Sequence, residues 1–165
     1  MVHPSCLPVD RLLADCEVER TRRSGPGGQH RNKVETAIVI THTPTGVRAE
    51  ASERRSQASN LAKAIFRLRV LLALQLRTAP DDSPSALWKN RSRAGRLAVN
   101  SEHEDFPAIL SEALNVLADQ GWAPAAAGEL LGISGSQIVK LLKVEPKALV
   151  LLNTQRRTLG LPPCK

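Results

Sequence analysis

The sequence predicts an α+β fold, in which a small mixed or antiparallel sheet is packed by one long helix and an all-α segment with helix-turn-helix spacing follows. Three observations carry this reading. Residues 34–42 alternate Val34, Thr36, Ile38 and Ile40 against Glu35, Ala37, Val39 and Thr41, a β-branched pattern of period two. Leu61, Ile65, Leu68, Leu72 and Leu76 step by three and four through residues 56–77, which is one helical stripe. Beyond Phe106 the apolar residues keep helical spacing, and Gly or Pro marks each end.

Taken in order, residues 8–16 suit a short helix with Asp10 as its cap and Leu12 and Leu13 as anchors. Residues 17–22 alternate weakly around Val18 and are read as a strand. After the strand at 34–42, Thr43-Pro44-Thr45-Gly46 is a turn, because proline presets φ and glycine accepts a positive one. Residues 47–51 then form the second arm of a hairpin, with Val47, Ala49 and Ala51 on one face and Arg48 and Glu50 on the other.

Residues 78–100 read as a basic linker. Pro80 and Pro84 break the helix, Lys89, Arg91, Arg93 and Arg96 supply charge, and Trp88 is the residue that would tack the stretch onto a domain. Helices are expected at 106–120, ended by Gly121, at 124–131, at 136–143 and at 149–161. Gly132-Ile133-Ser134 is the tight turn of the helix-turn-helix spacing, with Ser136, Gln137 and Lys140 on the exposed face of the helix after it. Gly128 stands where that motif usually has alanine, and is expected to be sterically tolerable at some cost in helix propensity. The expected organisation is a loop-bearing domain at 1–77, the linker at 78–100 and a helical domain at 101–165.

Charge is distributed unevenly. The formal net charge is +7, and residues 17–77 alone carry 12 Lys/Arg against 5 Asp/Glu. Residues 101–165 sum to −1. An excess concentrated on one segment is the expected footprint of a phosphate-backbone partner. With only Phe66, Phe106, Trp88 and Trp122 as aromatics, base stacking is not expected to dominate. Cys6, Cys16 and Cys164 form no CxxC pair, so neither a disulfide framework nor a metal site is called for. No apolar run reaches the roughly 18 residues of a membrane span, and residues 1–13 lack the layout of a secretory signal. A cytoplasmic, monomeric protein without a cofactor is expected.

The remaining stretch is Ser24-Gly25-Pro26-Gly27-Gly28-Gln29-His30, flanked by Arg20, Arg22, Arg23, Arg31, Asn32 and Lys33. Gly27 and Gly28 permit another molecule to approach the backbone closely. Gln29 has an amide that donates and accepts hydrogen bonds but takes no proton at neutral pH. Composition leaves two readings open: a solvated basic loop, or a polar tip reaching into a polyanion.

Gly27-Gly28-Gln29 in this setting resembles the tripeptide loop of class I peptide chain release factors. The likeness continues through Asn32-Lys33-Val34-Glu35-Thr36-Ala37, His42-Thr43-Pro44-Thr45-Gly46-Val47, Glu53-Arg54-Arg55-Ser56-Gln57 and Asn60. It covers residues 17 to about 76. The resemblance implies ribosome-dependent hydrolysis of the peptidyl-tRNA ester, with Gly27, Gly28 and Gln29 as the catalytic loop. It also implies large-subunit rRNA and peptidyl-tRNA as partners, with RNA contacts expected from Arg20, Arg22, Arg23, Ser24, His30, Asn32, Lys33 and Arg55. Arg31 departs from the family, which often has an apolar residue there, and is expected to add a phosphate contact. Lys89, Arg91 and Arg93 are further RNA-contact candidates, in place of the basic tail of the short ribosome-rescue relatives. The absence of codon-reading tripeptides in a suitable context leads to the expectation of codon-independent rescue. The alternatives are a ribosome- or RNA-binding protein without turnover and a helix-turn-helix regulator with a basic arm.

Overall fold

The computed structural model of the chain describes residues 1–22 and 36–165. The chain divides into two compact units, one of residues 4–72 and one of residues 1–3 with 73–165.

The first unit begins with a 3-10 turn, Pro4–Cys6, and helix α1, Val9–Ala14. Asp10 does not cap α1: Pro8 occupies the cap position, and no side chain bonds there. Strands β1 (Cys16–Thr21), β2 (Ala37–His42) and β3 (Val47–Ala51) form an antiparallel sheet in sequence order. Helix α2 spans Gln57–Gln75, and the division between the units falls within it.

In the central strand, Ala37, Ile38, Val39 and Ile40 are all buried, so both of its faces are covered. The edge strand β3 keeps the expected alternation, with Val47, Ala49 and Ala51 in and Arg48 and Glu50 out. The β-branched run thus takes the position that is most fully withdrawn from water, where apolar burial contributes most. On α2 the fully buried line is Asn60, Ala64, Leu68 and Leu72, one position off the leucine stripe at its start, since Leu61 is half-exposed.

In the second unit, residues 78–100 are not the bare linker expected. They carry helix α3 (Ala86–Arg91) and a two-stranded hairpin of β4 (Ser92–Arg93) and β5 (Arg96–Leu97). The cause is Trp88, which is fully buried and whose indole N–H donates to the Leu131 carbonyl at 2.8 Å. Removing such a side chain costs about 3–5 kcal/mol, enough to hold a short segment down. Ser85 caps α3 by accepting from the Trp88 N–H, and both its own N–H and its hydroxyl donate to the Glu112 carboxylate, at 2.7 and 2.6 Å.

Helices α4 (Phe106–Asp119), α5 (Pro124–Leu131), α6 (Gly135–Val144) and α7 (Pro146–Thr158) complete the unit. Helix α7 starts three residues before the expected 149, because Pro146 fits a first turn and Glu145 caps it by accepting from the Lys147 N–H. Ile109, Leu110, Leu114, Leu117, Ile138 and Leu142 are fully buried and build the core.

The α5–α6 pair has helix-turn-helix form, with Gly132 in the left-handed conformation at φ 71°. Gly128 is more than tolerable, since the backbone leaves no space for a side chain there. A Cβ there would lie 2.6 Å from the Ile133 carbonyl oxygen and 2.9 Å from the Gly135 nitrogen. Gly135 is confined in turn, since its Cβ would sit 2.9 Å from the Ala125 nitrogen. The two glycines let α6 start directly against the backbone of α5.

Gly128→Ala should therefore lower the unfolding free energy by about 1–3 kcal/mol despite alanine's better helix propensity, because overpacking outweighs it; chemical denaturation reads this. A second prediction concerns His3, which is buried beside Leu76 and Arg77. Burial, with Arg77 adding to it, lowers its pKa to about 4. A folded-state value below the ordinary 6.5 means that the unfolded chain takes up the proton first. Stability should therefore be full above pH 6.5 and fall as pH drops towards 4, by up to ~3 kcal/mol. His3→Gln should flatten unfolding free energy against pH in that window.

Candidate functional site

Antiparallel pairing of β1 with β2 ends at Thr21 opposite Ala37. That pair brackets residues 22–36 in the sequence. Gly27, Gly28, Gln29, Arg23, Ser24, His30, Arg31, Asn32 and Lys33 all belong to residues 23–35 and lie outside the described residues. The structure describes the two ends that flank them.

One side chain organises one of these ends. Asn60, in the first turn of α2, is completely buried. Its Nδ2 donates to the Thr36 carbonyl at 2.6 Å and to the Arg54 carbonyl at 3.0 Å, and its Oδ1 accepts from the Arg54 N–H at 3.0 Å. Thr36 is the C-terminal foot of the segment, and Arg54 lies in the turn joining β3 to α2. One amide thus locks the foot, the turn and the helix together.

A second contact fixes the same turn from outside. The Arg67 guanidinium, two helical turns along α2, donates to the Glu50 carbonyl at 2.7 Å and to the Glu53 carboxylate. Lys63 lies 3.7 Å from that carboxylate. The hydrogen bond from Arg67 is the main reason that the Glu53 carboxyl is lowered to about 2, against a small opposing effect of burial. Glu53 therefore stays ionised and engaged by Arg67, and Arg54 and Arg55 of the same turn are exposed.

The described RNA-contact candidates fall in two places. Arg20, on β1 opposite Ile38, and Arg22 are exposed at the N-terminal foot of the segment, and Arg55 is exposed in the turn that Asn60 ties to the other foot. Lys89, Arg91 and Arg93 belong to the second unit. Lys89 and Arg93 are exposed, but Arg91 is engaged internally: its Nε donates to Asp105 at 2.9 Å, and its terminal nitrogen also meets His103. Among the described residues, no three His, Cys, Asp or Glu side chains come together as a metal-ligand group. No helix of these residues is long and apolar enough to cross a membrane.

Sequence reasoning named Asn60 only as part of a motif and missed its task. The available signal was spacing: Asn60 stands one helical turn before Ala64 and two before Leu68, at the head of a buried line. A polar residue there must find partners within the protein.

The described arrangement is two segment ends held by backbone pairing and by Asn60, with two exposed arginines at one end and one near the other. Exposed cations of this kind suit contact with phosphate.

Comparison with known proteins agrees with this geometry. Residues 10–104 match the family model of the RF-1 domain. The chain is 52% identical over 94 residues to peptide chain release factor 1 of Xylella fastidiosa, covering 57% of this chain and 26% of the relative. It is 40% identical over 94 residues to peptide chain release factor 1 of Acidiphilium cryptum, covering 57% and 27%. It is 39% identical over 87 residues to a chloroplastic peptide chain release factor of Arabidopsis thaliana, covering 48% and 19%. The chain thus spans between 19% and 27% of the length of these relatives.

Proposed function

The chain belongs to the class I peptide chain release factor family through its RF-1 domain, and on that premise we propose that it hydrolyses the ester of peptidyl-tRNA on the ribosome. The observation that carries this reading is the match over residues 10–104, within which Gly27-Gly28-Gln29 lies in sequence between the paired Thr21 and Ala37, ahead of Thr36, whose carbonyl Asn60 holds. In this reading the Gln29 backbone N–H stabilises the charge that develops on the leaving 3′-oxygen. Its side chain shapes the pocket for one water. Gly27 and Gly28 let the tip pack against large-subunit rRNA, which supplies most of the remaining environment. Arg20, Arg22, Arg55 and the cations within residues 23–35 meet rRNA phosphates, and Lys89 and Arg93 add contacts from the second unit. Arg91 acts there by holding Asp105 and His103.

The finer reading is that release needs no codon and serves stalled ribosomes in the cytoplasm. C-terminal to the matched region lies the helical part of the second unit, and we assign to it the choice of ribosomal complex. Release from complexes with and without a stop codon in the A site tests this. Equal rates support it, and strict dependence on the stop codon contradicts it.

The role of the tip yields a sharper prediction. Gly28→Ala should cut single-turnover release by about 100-fold and leave ribosome affinity within about twofold, because a Cβ blocks close approach without removing a charge. Release at the parent rate would remove the tip from the chemistry. Binding without release by the parent protein would instead favour the non-catalytic alternative.

A further inference from the structure

The near-neutral sum over residues 101–165 conceals a sharp division. Residues 101–134 hold six Asp/Glu and no Lys or Arg, whereas residues 135–165 hold six Lys/Arg and one Glu. The boundary falls at the start of α6, the second helix of the helix-turn-helix. Helices α6 and α7 contain no carboxylate. Glu145 lies between them, and its oxygen is used to cap α7 through the Lys147 N–H at 3.3 Å. The acidic part is also occupied in places: Asp105 holds Arg91, and Glu112 holds Ser85.

Not every cation of this basic part faces water. Arg156 donates to the Trp122 carbonyl at 2.8 Å and to the Pro162 carbonyl at 2.7 Å. Lys140, Lys143, Lys147 and Arg157 are exposed, and none has an ion pair among the described residues. Lys140 and Lys143 are one helical turn apart on α6, and Lys143 and Lys147 flank the α6–α7 joint. The face is held rigidly, because Gly128 and Gly135 fix α6 against α5 and Ile138, Leu141 and Leu142 anchor its inner side.

We propose that the exposed face of α6 and α7 is a second nucleic-acid surface, which binds the phosphate backbone of an RNA duplex. Lysine is a point charge suited to phosphate, whereas base readout calls for arginine, asparagine or glutamine aimed at base edges. On α6 the sole residue of that kind is Gln137, and it is half-buried. The Ser136 hydroxyl is engaged with Ser134 at 2.9 Å. The α6 part of this face therefore grips a backbone and reads little sequence. The deep, narrow major groove of A-form RNA excludes a helix, so α6 lies across the phosphates. The choice of RNA over DNA rests on the ribosomal reading above, while the phosphate surface itself rests on charge and burial alone.

The experiment measures binding of the full chain to a labelled RNA duplex of about 20 base pairs and to a DNA duplex of the same sequence, by anisotropy over a range of salt. The triple substitution Lys140→Ala, Lys143→Ala, Lys147→Ala removes exposed side chains only, and an unchanged melting temperature shows the fold intact. It should weaken RNA binding at least tenfold and reduce the slope of log affinity against log salt by about two to three, close to one for each phosphate no longer neutralised. Glu102→Gln with Glu104→Gln raises net charge by two and should leave affinity within twofold, which separates a local surface from a net-charge effect. Unchanged affinity and slope in the triple variant would overturn the proposal, and so would tighter binding of DNA than of RNA. Peptide release by the parent protein is measured separately. If release fails while the triple variant still binds RNA more weakly than the parent, the surface stands and the catalytic reading falls.

Discussion

Asn60 donates two hydrogen bonds and accepts one, all to backbone, from a position with no exposure to water. An asparagine amide has two donor hydrogens and two acceptor lone pairs, and three of these four are used here on two segments distant in sequence. The buried amide would otherwise be left without partners, at about 1–3 kcal/mol. The foot of segment 22–36, the turn before α2 and α2 itself are therefore one mechanical unit. Arg67 braces the same turn through Glu50 and Glu53. On the reading proposed for Gly27-Gly28-Gln29, chemistry by positioning needs the two ends of the segment to be held.

The electrostatics follow a related logic. In the first unit, Glu53 pairs at the surface with Arg67 and Lys63, and the neighbouring Arg54 and Arg55 are exposed. In the second unit, Asp105 and Glu112 are used to hold Arg91 and Ser85, while Lys140, Lys143 and Lys147 stay in water. In each unit some carboxylates serve internal contacts while neighbouring cations stay exposed.

Most of the fold was legible wherever one period dominated. The β2–β3 hairpin and its turn, the long α2, and the α5–turn–α6 unit all announced themselves through alternation, a leucine stripe or a glycine at a stop. Legibility failed where a single tertiary contact decides. Trp88 makes residues 78–100 part of a packed unit, and no local pattern reveals that its indole meets Leu131. Gly128 looked like a weak helix residue because propensity is a local property, whereas its cause is the carbonyl of Ile133 at 2.6 Å from the absent Cβ. The candidate site showed the same split. Its tip was readable from composition and motif, but its base was not, because Asn60 reaches Thr36 across 24 positions.

The central claim is that Asn60 holds the base so that the tip can act. Single-turnover peptide release at saturating protein, set beside ribosome affinity, tests it in Asn60→Ala and in Asn60→Asp, which keeps the acceptor for the Arg54 N–H but loses both donors. Circular dichroism establishes that each variant is folded at the assay temperature, with Asp as the second route should Ala fail to fold. Release should fall at least about tenfold while affinity changes by less than about threefold, since the exposed cations remain. A folded variant that binds and releases at the parent rate would show that the clamp only stabilises the fold, and would contradict the claim.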